Sequence, residues 1–138
     1  FNTFGGNQVS CSVGMAVLDI MENKGLQQNA LETGSWLKEE LEMLKNVFPL
    51  IGDVRGEGLF LGVELVLDPE TREPAPLQAD YLVERLKSRK ILLSTEGPGH
   101  NVLKFKPPMF FNHSDAQHLL VDLQKVLRES PLQKNLKA

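Results

Sequence analysis

The apolar residues of this chain change their period once, and that change limits the fold more than any single motif. From Val9 they fall at 9, 13, 16/17 and 20/21, which is the stripe of an amphipathic helix. A second stripe runs through Leu26, Ala30, Gly34, Leu37, Leu41, Leu44 and Phe48, and Pro49 ends it. Asn7 is placed to cap the first helix and Gly25 to stop it. Residues 8–48 therefore read as a helical hairpin. The period then drops to two: Leu59, Leu61, Val63 and Leu65 alternate along a strand.

The rest of the chain keeps mixing the two periods. Asp53-Val54-Arg55-Gly56-Glu57-Gly58 carries two glycines where a bulge or tight bend is expected before that strand. Residues 68–74 are a polar, proline-bearing loop. A third helix is expected from Leu77 to Lys90, apolar at 79, 82, 83 and 86. Ile91-Leu92-Leu93-Ser94 reads as a short strand, residues 95–101 as a loop, and Val102 to Lys106 as another strand ended by Pro107-Pro108. A last helix has apolar positions 116, 119/120, 123 and 127, with Asn112 and Asp115 as a capping box. Beyond Arg128 periodicity is lost, and residues 129–138 read as a frayed tail. The order α-α-β-β-α-β-β-α is that of an α+β layer, residues 50–128, with helices on one face of a small sheet.

Bulk properties remove several functions. A length of 138 residues suits one domain with its own core. A net charge of -3, with no basic stripe, argues against nucleic acid or a membrane surface as partner. No apolar run approaches the roughly 20 residues of a membrane span. Residues 1–25 lack the layout of a signal peptide. One cysteine, Cys11, has no internal partner, which fits a reducing compartment; the cytosol is the expected location. Cys11 is expected in or beside the core of the first helix, not as a nucleophile.

No Cys/His set has metal-ligand spacing, so no metal is expected. His113 and His118 are five apart and do not share a helical face. Gly56-Glu57-Gly58 lacks a third glycine and leads into a strand, so it is no dinucleotide fingerprint. Two features remain. Thr3, beside Gly5-Gly6 and just ahead of a helix, could serve an anion, or be an ordinary loop residue. Lys104 and Lys106 share one face of their strand, either as a solvated edge or as a cationic site.

Three segments, in order, resemble one family. Asn2-Thr3-Phe4-Gly5-Gly6-Asn7 is similar to the cofactor-phosphate loop of class III aminotransferases, which depend on pyridoxal phosphate (PLP). Val54-Arg55-Gly56-Glu57-Gly58-Leu59, running on to Leu65, resembles that family's V-R-G-x-G-L strand entry. Leu103-Lys104-Phe105-Lys106-Pro107-Pro108-Met109 resembles its late L-R-F-x-P-P-L strand. The resemblance reaches to about Arg128. It implies the C-terminal small domain of a PLP enzyme of fold type I, with a mostly antiparallel sheet, behind a loop at 1–7 and the hairpin. The opening on this loop, without Met, then reads as the back part of a longer enzyme.

The resemblance implies a homodimer with its active site at the subunit boundary. Asn2 and Thr3 would bind the PLP phosphate of the neighbouring subunit. Arg55 would chiefly shape the sheet. The Schiff-base lysine would lie upstream, since none of the ten lysines here has its context, so this chain alone is expected to be non-catalytic. Gln8 stands where the family usually has proline. Lys104 stands where ordinary members hold a substrate carboxylate with arginine, whose planar fork a lysine does not copy. This strand, with residues 92–99, resembles the branch acting on phosphoethanolamine or 5-phosphohydroxylysine. In that branch PLP is the electron sink for proton removal, and phosphate leaves by elimination. An aldehyde, ammonia and phosphate result. A small phosphorylated amine is the expected substrate, with Lys104 and Lys106 on its anionic group. The alternatives are a conventional ω-aminotransferase using lysine, and a non-catalytic domain that binds an anion or partner.

Overall fold

A computed structural model describes residues 5–129 and residue 132. Among the described residues there are four helices and one antiparallel sheet of four strands. Helix α1 spans Gln8–Asn23, and Asn7 caps it: the Ser10 N–H donates to Asn7 Oδ1 at 2.8 Å. Gly25, at φ 58°, makes the left-handed break into α2, Leu26–Lys45. The expected hairpin therefore forms. Its two helices differ in burial. Helix α2 buries Leu37, Leu41 and Leu44, whereas α1 buries no residue at all. Val9, Val13 and Ile20 of its stripe are all more than half exposed. Cys11 is exposed too, which corrects its expected place near the core. A helical stripe marks a face; it does not say what covers it.

Strands β1 (Ile51–Glu57) and β2 (Phe60–Leu65) form a hairpin closed at the Glu57↔Phe60 pair. Residues 53–58, expected as a bend, are mostly strand; the turn is Gly58-Leu59, with Gly58 at φ 53°. The irregularity in register lies earlier, between Ile51 and Asp53. Helix α2 crosses this turn at close range. A Cβ on Gly34 would lie 2.0 Å from the Gly58 carbonyl oxygen, so only glycine fits there.

Helix α3 covers Pro76–Ser88, with its proline where an N–H has no helical partner. Lys90 then turns at φ 66°, and β3 forms at Ser94–Glu96. This corrects the strand expected at 91–94. Leu92 is 79% exposed, and pairing begins only where Ser94 meets Lys104 of β4. Strand β4 is Val102–Phe105, so Lys106 lies just past its end rather than inside it. Helix α4 (His113–Leu127) carries the expected capping box between Asn112 and Asp115.

The sheet order is β1-β2-β4-β3. Leu61, Val63, Leu65, Leu103 and Phe105 alternate onto one face and join Leu37, Leu41, Leu82, Leu86, Leu120 and Leu123 from α2, α3 and α4 in one core. Each such side chain taken from water stabilises the fold by about 1.5–3 kcal/mol. The opposite face carries Arg55, Gly62, Glu64 and Lys104, with no helix among the described residues packed over it. Buried Asn101 is satisfied by donating to the Leu65 carbonyl at 2.7 Å.

The tail does not begin at 129. Glu129 accepts from Tyr81 (2.6 Å) and from Arg85 Nε (2.7 Å) and Nη2 (2.8 Å). Leu132 is buried against the core. Polarity hid this segment from a reading by period, because charged hydrogen bonds rather than an apolar stripe hold Glu129.

Candidate functional site

Asn2 and Thr3 lie outside the described residues. The loop that follows them is described. Gly6 runs so close to α1 that a Cβ there would fall 2.7 Å from Cys11 Sγ. Gln8 is the first helical residue, a position that also suits proline.

Lys104 and Lys106 line a single cleft of about 780 Å³. It opens where the 90–94 segment and the 104–111 segment part, past the last β3–β4 pair at Ser94↔Lys104. Leu37, Phe105 and Leu119 form its apolar floor. Lys90 and His118 add polar atoms that can carry positive charge, and Asp115 is an acid on its wall. The 107–111 wall is pinned to α2: Asn29 Nδ2 donates to the carbonyls of Met109 (2.8 Å) and Phe111 (3.0 Å). Pro107 and Pro108 stiffen it further.

The two lysines have different surroundings. Lys104 donates to Glu96 Oε1 in an ion pair across β3 and β4. That contact holds the Glu96 carboxyl below the ordinary carboxylate range. Lys106 instead stands with its ammonium 5.8 Å from the centre of the Phe60 ring. On the same open face Arg55 bonds Glu64 at 2.5 Å and Asp53 at 2.9 Å, which ties β1 to β2. Its guanidinium is accordingly committed to the sheet, and its pKa is raised first by Glu64.

The histidines are not brought together. His113 stacks on Trp36 at 3.8 Å between centroids, and His118 lies 3.6 Å from Asp122. Among the described residues no group of acids, histidines and cysteine could hold a metal. Glu96, Lys90 and Phe60 were missed by reading the sequence. Only the β3–β4 register places Glu96 beside Lys104, and no local pattern carries that register.

The class-III aminotransferase model matches residues 1–127, and so includes the loop, the β1–β2 entry and the lysine strand. This chain belongs to the class-III aminotransferase family. Among curated relatives of this family, "Alanine--glyoxylate aminotransferase 2-like" of Drosophila melanogaster is 48% identical over 128 residues, 92% of this chain and 26% of the relative. "Ethanolamine-phosphate phospho-lyase homolog 1" of Caenorhabditis elegans is 39% identical over 128 residues, 92% of this chain and 27% of its own. A solved phospholyase from Arthrobacter, in complex with phosphoethanolamine, superposes with a TM-score of 0.89 at 38% identity, over 95% of this chain and 31% of that one. The chain thus spans about a quarter of the length of the curated relatives it matches. The fold is that of the C-terminal part of a class-III, fold type I enzyme.

The family implies PLP. The described residues are compatible with its phosphate end: Gly6 runs close against Cys11 in the first turn of α1, whose leading N–H groups suit an anion. No helix of the described chain is long and apolar enough to cross a membrane.

Proposed function

We propose that residues 1–128 form the C-terminal domain of a PLP-dependent phospho-lyase acting on a small phosphorylated amine, with residues 1–7 as the cofactor-phosphate loop. The observation that carries this reading is Lys104, in the position the family gives to arginine and on one cleft with Lys106. Two ammonium groups suit a phosphate, while the lost guanidinium fork disfavours the planar carboxylate of an ordinary transaminase substrate. Likeness to the phosphoethanolamine-bound Arthrobacter enzyme supports the same substrate class.

In this reading Asn2 and Thr3 hold the cofactor phosphate across a homodimer boundary. Lys104 and Lys106 hold the substrate's anionic group. The Pro107-Pro108 wall keeps Lys106 on the cleft, and the apolar floor limits water beneath it. PLP, when bound, supplies an electron sink for proton removal, which permits elimination of phosphate. In this reading the Schiff-base lysine is supplied from outside these residues.

The test is phosphate release from phosphoethanolamine or 5-phosphohydroxylysine by the full-length protein, beside keto-acid-dependent amine transfer. Release without transfer is expected, together with a raised KM in Lys104→Ala. An unchanged KM and turnover in that variant would refute its role. The second reading, a lysine-using aminotransferase, is favoured by the 48% identity to the alanine–glyoxylate aminotransferase-like relative; amine transfer without phosphate release would establish it. Sedimentation tests the dimer. The cytosolic location rests on unpaired Cys11, and a tagged protein found in an organelle would refute it.

A further inference from the structure

The lysine that should receive the substrate's anion already has a partner of its own. Glu96 pairs with Val102 in register and Ser94 pairs with Lys104, so Glu96 sits diagonally beside Lys104 across β3 and β4. The Glu96 carboxylate accepts from the Lys104 ammonium, with side chains 54% and 32% exposed. Both line a second cleft of about 530 Å³ on the open face of the sheet, along with Phe60. Among the described residues no carboxylate pairs with Lys106, which stands over the Phe60 ring.

An anion arriving at Lys104 must therefore share its ammonium with Glu96 or displace that carboxylate. For an incoming carboxylate the exchange is like for like and gains little. A phosphate differs, carrying about −1.5 to −2 charge at neutral pH and three acceptor oxygens. It can engage Lys104 and Lys106 together, and Glu96 is exposed enough to swing into water. The geometry points to Glu96 as the specificity-determining residue of this site: it occupies Lys104 against singly charged groups and yields to a phosphate. This inference rests on Lys104 being an anion ligand, as proposed above.

The experiment titrates inorganic phosphate and, separately, acetate into the 138-residue chain, following lysine ammonium and β4 amide signals by NMR. Wild type is compared with Glu96→Gln, Lys104→Ala and the double variant. In Glu96→Gln, acetate affinity should rise by about two- to fivefold, the size of an exposed ion pair, and phosphate affinity by less. The preference for phosphate then narrows, which a merely structural role for Glu96 would not produce. The gain should vanish in the double variant. An unchanged or widened preference in Glu96→Gln, or a gain that survives without Lys104, overturns the inference. If Lys104→Ala loses phosphate while Glu96→Gln changes nothing, the Glu96 role fails and the Lys104 reading stands. If Lys104→Ala binds phosphate like wild type, or no form of the chain binds it, both fall.

Discussion

Replacing Gly34 by alanine should destabilise the domain even though alanine is the best helix former. Gly34 lies inside α2 and faces the β1–β2 turn. An added Cβ would sit 2.0 Å from the Gly58 oxygen and 2.2 Å from its carbonyl carbon. Ordinary contact begins near 3.4 Å, so α2 and the turn must separate by about 1.4 Å. Both sides are backbone, and neither can rotate away. Moving α2 also lifts Leu37 and Leu41 from the sheet. Overpacking of this kind costs about 3 kcal/mol at the upper end of its usual range. Alanine returns about 1 kcal/mol of helix propensity. The net loss is about 2 kcal/mol, or a fall of about 1 M in the urea midpoint for a domain of this size. Urea unfolding followed by circular dichroism measures it. Gly14→Ala in α1 is the control, because its Cβ meets no described atom within 4 Å and should not lower the midpoint. A Gly34→Ala midpoint equal to or above wild type would refute the close-approach argument.

Other outcomes follow from the same contacts. Arg85, and after it Tyr81, lower the Glu129 carboxyl from 4.5 to about 2. A depressed carboxylate stabilises the fold above its unfolded value, so this contribution should be lost as pH falls from about 4.5 towards 2. Urea midpoints of Glu129→Gln should accordingly change less than wild type over that window, and equal acid sensitivity would contradict the assignment. Asn112→Ala removes the side-chain acceptor of the α4 cap, while the backbone N–H of residue 112 still donates to Asp115, and should cost about 1 kcal/mol, read in the same assay; an unchanged midpoint would show that side chain to be idle. The 138-residue chain, mixed with PLP and dialysed, should keep no lysine-linked absorbance band. A retained band would mean that one of its own lysines takes the Schiff-base role.

Local chemistry by itself determined most of the elements of this chain and its family. Stripes at 26–48 and 116–127, the Asn112–Asp115 box and the glycines of the Arg55 segment are short-range signals, each set by residues a turn or a step apart. The same is true of the three motifs. Tertiary structure decided what those signals leave open. It moved the third strand from 91–94 to Ser94–Glu96, because a strand exists only where a partner lies in register. It left Cys11 and the stripe of α1 exposed, because a period names a face and not its cover. It drew Glu129 inward through charged hydrogen bonds that no apolar pattern announces. Above all it set Glu96 against Lys104, eight residues apart along the chain, through a pairing that only the folded sheet supplies.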